Sequence, residues 1–136
     1  MILGVGVDVC EVRRLRRALA RPGFSKRVFR PSEARYCDGR ARPERHYAAR
    51  FAAKEALFKA LGTGWGGRVG WTDVAVERAP GGRPALRLAG AAARASRALG
   101  VRRAHLSLSH GDEYAVAVVV LEGTRPRGAG SGSGRR

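Results

Sequence analysis

The 136-residue sequence predicts one compact α+β domain with a mostly antiparallel sheet and a long central helix. Three observations carry that reading. An alternating strand pattern opens the chain, a long helical pattern fills its middle, and the second half offers β-prone runs paired around turn signals. Helices and hairpins mixed in this order favour α+β over a doubly wound α/β sheet. The length corresponds to one ordinary domain, and an apolar fraction of 44% is enough for a single modest core.

Residues 2–9 alternate, with Leu3, Val5, Val7 and Val9 on one face and Ile2, Gly4, Gly6 and Asp8 on the other. The valine face is expected to be core. The second face is cut back to hydrogen and ends in a carboxylate. Glu11 to Ala20 reads as a helix with Val12, Leu15 and Leu19 as its apolar stripe and Arg13, Arg14, Arg16 and Arg17 around it, stopped by Pro22-Gly23. Pro31-Ser32 opens a short helix to about Cys37, and a polar loop follows from Asp38 to Pro43.

The long helix is expected over Glu44 to Leu61, with Tyr47, Phe51, Phe58 and Leu61 near one stripe; Gly62 and the Gly-rich run through Gly67 end it. Thr72 to Glu77 and Ala85 to Leu88 flank a Pro-Gly-Gly turn and form a first hairpin. An Ala-rich helix spans Gly90 to Leu99. Ala104 to Ser109 and Tyr114 to Leu121 form a second hairpin, whose last arm is apolar on both faces and therefore central in its sheet. The domain is assigned to residues 1–123, and residues 124–136, rich in Gly, Ser and Arg, are expected to be a disordered tail.

Lys and Arg total 27 against 11 acidic residues, a formal charge of +16, which points to a polyanionic partner. All but three of those cations are Arg, a bias that GC-rich coding explains as simply as chemistry does. It makes Lys26, Lys54 and Lys59 the more informative cations. A basic protein that binds RNA or DNA is the rival reading, but no helix-turn-helix spacing, zinc pattern or aromatic base-stacking motif accompanies the charge, so no nucleic-acid partner is expected. No apolar run approaches the roughly 20 residues that cross a bilayer, so no membrane partner is expected either. Cys10 and Cys37 lack the number for a disulfide framework and the spacing for zinc, which with the absence of a leader pattern points to the cytoplasm.

Steps of four, three and four place Ala48, Ala52, Glu55 and Lys59 on one helix face. By itself a Glu-Lys pair at i, i+4 is a solvated surface pair worth about 0.2–0.5 kcal/mol. Asp8, read alone, is a helix cap. Brought together, Asp8 and Glu55 would form a hard-oxygen site suited to Mg²⁺, which prefers one or two carboxylates, waters and substrate phosphates. Lys59 and Arg50 nearby would neutralise phosphate oxygens. His105 shares a strand face with Ser107 and Ser109, and His110 falls at the strand's end; His46 has no such setting and reads as surface.

The segments GVDVCEV (Gly6 to Val12), RFAAKEALFKALGTG (Arg50 to Gly64) and HLSLSH (His105 to His110) together resemble the holo-[acyl-carrier-protein] synthases, small 4′-phosphopantetheinyl transferases. The resemblance covers residues 1–122. It implies transfer of the phosphopantetheine arm of coenzyme A to a serine of an apo acyl carrier protein, of fatty-acid or polyketide synthesis, with release of adenosine 3′,5′-bisphosphate. It also implies Asp8 and Glu55 as Mg²⁺ ligands and Lys59 as the cation that stabilises developing charge. Arg50, Lys54, Gly62, Gly64 and His105 fall at or beside the family's coenzyme A pocket, with Asp8, Glu55 and Lys59. Glu55, directly or through water, and His110 are the candidate bases; Asp112 stands in a variable turn. Arg14, Arg17 and Arg21 are similar to the surface that receives an acidic carrier protein, and the family forms homotrimers with active sites between subunits.

Overall fold

The computed structural model describes residues 1–62 and 69–127. The expectations for Gly64, for the rest of the Gly-rich run from residue 63 to Gly67 and for tail residues 128–136 lie outside that range. The elements in order are β1 (Ile2–Glu11), α1 (Val12–Leu19), α2 (Phe24–Val28), α3 (Pro31–Asp38), α4 (Pro43–Leu61), β2 (Val74–Arg78), β3 (Pro84–Leu88), α5 (Gly90–Leu99), β4 (Val101–His110) and β5 (Tyr114–Gly123). A 3-10 turn, Trp71–Asp73, leads into β2, where the sequence predicts strand from Thr72.

Among the described residues the strands pair only antiparallel, as β1-β5-β4 and β2-β3. The apolar arm β5 takes the central place expected of it. The helix α2 is the one element without a counterpart in the sequence reading. Five residues give periodicity no room to register, and only its burial of Phe24 and Val28, four apart, explains it. Thr124 still belongs to the fold, its N–H donating to Gly100 O at 3.1 Å.

α4 is buried nearly all round and lies against the β1-β5 face. Ala48, Ala49, Ala52, Ala53, Ala56 and Ala60 are all buried, so small side chains around the helix let neighbouring elements close in on it. Here the structure corrects the assignment of faces on β1. Val5, Val7 and Val9 are 60%, 52% and 57% exposed, and the Gly4-Gly6-Asp8 face is the inner one. A Cβ on Gly6 would sit 1.9 Å from Ala56 O, and one on Gly4 would sit 2.1 Å from Ala60 O. The helix backbone occupies the volume that side chains would need, so the stripped face is the one that packs.

Candidate active site

The close approach of α4 to β1 brings Asp8, Lys59 and Glu55 together. Lys59 Nζ donates to Asp8 Oδ1 at 3.1 Å and to Val7 O at 3.0 Å. Ala48 and Ala52 lie fully buried on the same helix face, so the expected face exists, with Glu55 and Lys59 toward its accessible end. A groove of about 390 Å³ opens beside them, lined by Asp8, Glu55, Arg14, Arg21, Phe24 and Tyr114 among others.

Burial pushes the Glu55 carboxyl above its ordinary value, the Asp8 charge adds to the effect, and Lys59 and Arg14 oppose it. Two carboxylates in one partly desolvated groove repel each other, and a divalent cation would relieve that repulsion. Among the described residues no group of three or more His, Cys, Asp or Glu is placed to hold a metal. A cation here would rest on two protein carboxylates and take its remaining ligands from water and substrate, a donor set that fits Mg²⁺. Cys10, beside Asp8, is a free thiol pushed up to about 11 by burial and by Asp8, so it stays protonated at neutral pH.

Arg50 stands elsewhere, which corrects its expected place next to Lys59. It is five helical positions from Glu55, about 140° around the axis, and its guanidinium lies 4.2 Å from the centre of the Tyr36 ring. There a second pocket, of about 170 Å³, is lined by Tyr36, His46, Arg50, Arg78, Leu108 and His110. Arg40 and Arg78 both donate to the Tyr36 hydroxyl, at 2.7 and 2.6 Å. Burial raises the Tyr36 phenol, but those bonds and charges outweigh it and hold the phenol below its ordinary value. The rings of His46 and His110 meet at 4.8 Å, so His46 is not a plain surface residue. Burial lowers both imidazoles; Arg45 and Arg50 add to the effect on His110, as do His110, Arg40, Arg50 and Arg78 on His46. The Nε of Arg50 is buried with no protein acceptor among the described residues. The pocket is thus rich in cationic and neutral donors, which suits an anion.

His110 therefore joins Arg50, two strands across the sheet from Asp8, and not Glu55. His105 points to the opposite sheet face and pairs with Glu122 at 2.9 Å, so within one chain it reaches neither pocket. Lys54 is corrected most plainly. It is completely buried, with Glu33, and its ammonium donates to Glu33 Oε1, Val28 O and Trp71 O, so it has nothing left for a ligand. Gly62 ends α4 with φ of 78°, the left-handed conformation that favours glycine. Arg14 of α1 and Arg21, two residues beyond the end of that helix, border the Glu55 groove, and Arg17 of α1 is exposed nearby. Asp112 is held by Arg42, at 3.3 Å, and by Arg45. Sequence reasoning missed Tyr36, His46 and Arg78. In a chain this rich in Arg, nothing local marks Arg78 as different from its neighbours.

Residues 4–119 match the model of the 4′-phosphopantetheinyl transferase superfamily. The holo-[acyl-carrier-protein] synthase of Anaeromyxobacter dehalogenans (strain 2CP-1 / ATCC BAA-258) is 56% identical over 131 residues, spanning 93% of this chain and all of that protein. The crystal structure of the synthase from Neisseria meningitidis superposes with a TM-score of 0.80 at 32% identity, covering 90% of this chain and 99% of that one. The synthase from Bacillus anthracis str. Ames, solved in complex with CoA (3′,5′-ADP), gives 0.75 at 36% identity, covering 91% and 99%. With the motif residues Asp8, Glu55 and Lys59 gathered at one groove and a relative this similar over its full length, the chain belongs to the holo-[acyl-carrier-protein] synthase family of 4′-phosphopantetheinyl transferases.

Proposed function

We propose that this protein transfers the 4′-phosphopantetheine arm of coenzyme A to a serine of an apo acyl carrier protein in a Mg²⁺-dependent reaction. The observation that carries the reading is the convergence of Asp8, Lys59 and the raised Glu55 carboxyl beside a groove edged by Arg14 and Arg21. The serine Oγ attacks the β-phosphorus, the bridging P–O bond breaks, and adenosine 3′,5′-bisphosphate leaves. Phosphoryl transfer of this kind asks the protein mainly for positioning and charge stabilisation.

Each residue has a part that its surroundings support. Asp8 and Glu55 would hold Mg²⁺, which when bound neutralises diphosphate charge. Lys59 has three N–H donors, of which Asp8 and Val7 take two, so its anchored ammonium can meet a phosphate oxygen with the third. Glu55, directly or through water, would take the serine proton. Arg14, Arg17 and Arg21 present positive charge to an acidic carrier protein beside the groove.

Arg50 and His110 lie too far around the fold to serve the same chain's Asp8 and Glu55. A homotrimer with active sites between subunits removes that difficulty, because the Arg50-His110 pocket of one copy can complete the groove of another. The exposed Val5, Val7, Val9 and Val118 support such an assembly, being neighbours on one apolar sheet face.

Incubation with coenzyme A, Mg²⁺ and an apo carrier protein is expected to add about 340 Da, the mass of the transferred arm, to the carrier in intact-mass spectrometry. No mass increase on any of several fatty-acid and polyketide carriers would exclude the activity.

A further inference from the structure

The proposed reaction uses one side of α4, yet the other side carries a charge pair with more directional bonds than any other in the described structure. Glu33 is 1% exposed and Lys54 is fully buried, and they meet at 2.7 Å. The three N–H donors of Lys54 reach Glu33 Oε1, Val28 O at 2.7 Å and Trp71 O at 3.1 Å. Glu33 in turn accepts from Arg30 N at 2.9 Å through Oε1 and from Val76 N at 2.9 Å through Oε2. One ion pair thus bonds to the end of α2, the start of α3, the 3-10 turn and β2, all from the middle of α4.

Stability by itself accounts poorly for this arrangement, since a buried ion pair commonly gains no more than well-packed apolar residues of the same volume would. What apolar residues could not supply is direction. The Gly4 and Gly6 contacts set how near α4 comes to β1, but glycines give the helix no side chain to key against, and the Lys59 bonds to Asp8 and Val7 on that face come from an exposed side chain. Lys54 immediately precedes Glu55, about 100° away around that axis. Any rotation that carried Glu55 away from Asp8 would draw Lys54 Nζ off acceptors fixed on separate elements.

We propose that the Glu33–Lys54 pair is a positioning element for Glu55, locking the rotation and axial register of α4 so that Glu55 stays opposite Asp8. The inference rests on the proposed role of Glu55 in the reaction. Lys54 touches no substrate in this scheme and acts only through its neighbour.

The test compares wild type with the double variant Lys54→Met/Glu33→Leu, which removes both charges and leaves neither one buried alone. Melting temperature, kcat and KM per folded enzyme, and Mn²⁺ binding to the protein without coenzyme A, followed by electron paramagnetic resonance, are measured together. A folded double variant is expected to bind Mn²⁺ about 10- to 100-fold more weakly, as for loss of groups that orient metal ligands, with kcat reduced by a similar factor and the carrier KM unchanged. Wild-type Mn²⁺ affinity and kcat in a folded double variant would overturn the proposal and leave the pair purely structural. Should the double variant not fold, Glu33→Gln, which keeps the shape and one acceptor, is read by the same measurements. If wild type binds Mn²⁺ but transfers nothing to any carrier, the proposed activity fails, while the Mn²⁺ comparison still decides the positioning role.

Discussion

Replacing Glu55 with Gln removes one of two mutually repelling carboxylates while keeping the side chain's shape. Transfer to the carrier is expected to fall at least a hundredfold, read by intact mass, because a proposed metal ligand and base is lost together. Stability should move the other way. Because burial and Asp8 raise the Glu55 carboxyl in the folded state, the folded chain binds more protons than the unfolded one between the ordinary and the raised value. Glu55 therefore supports the fold fully below its unfolded value and loses that support as pH rises through the folded one. The metal-free Glu55→Gln variant should melt at a higher temperature than wild type at pH 7.5, with the gap closing toward pH 4. A melting temperature that is lower than wild type and independent of pH would contradict the strained-carboxylate picture.

Elements in this protein meet through small residues, and the cost of enlarging them can be stated. A Cβ at Gly6 has no room against Ala56 O, a backbone atom that cannot swing aside. Gly6→Ala is expected to destabilise by about 3 kcal/mol, the upper range for overpacking, and to depress transfer in whatever fraction still folds, since α4 must move away from Asp8. Gly62→Ala presents the opposite case. Among the described residues nothing comes within 4 Å of its added methyl, but φ of 78° penalises an L-residue, so a loss of about 1–2 kcal/mol is expected from conformation. Denaturant midpoints at constant slope would measure both. Helix ends were legible where a cap marks them locally: Pro31 opens α3 and Gly62 closes α4. Pro43, read as loop, is instead the first residue of α4, and β4 begins at Val101 rather than at Ala104. The role of the β1 faces was not legible, because alternation tells which residues share a face and leaves open which face meets a helix.

At the scale of the whole molecule, the outer face of the three-stranded sheet has no partner among the described residues of one chain. Val5, Val7 and Val9 on β1 sit opposite Val120, Val118 and Val116 on β5, with His105, Ser107 and Ser109 beyond them on β4. If this face joins copies, Val7→Lys should yield a monomer by light scattering and lose transfer, with the Asp8–Lys59 site untouched on the opposite face. An assembled, active Val7→Lys protein would remove the sheet face from the interface. His105 lies at the edge of this face with Glu122, whose carboxyl the His105 hydrogen bond lowers. The net charge, which at first indicates only a polyanion, resolves at this scale into distinct parts. Arg14, Arg17 and Arg21 border or lie near the groove, Arg40, Arg50 and Arg78 surround Tyr36, and Lys54 is consumed inside the core.

By itself the sequence determined the kinds and order of the main elements and the placing of Glu55 and Lys59 on one helix face, since strand alternation and helical spacing are local properties. The grouping of Asp8 with them came from the resemblance of the motifs. Tertiary structure alone decided that the glycine face of β1 is the packed one, that Lys54 is spent on Glu33 and backbone carbonyls, and that Arg50 and His110 share a pocket with Tyr36, His46 and Arg78. Those outcomes depend on burial and on partners tens of residues away, and a long cation in a helical pattern reads the same whether its ammonium ends in water, on a phosphate or against a buried carboxylate.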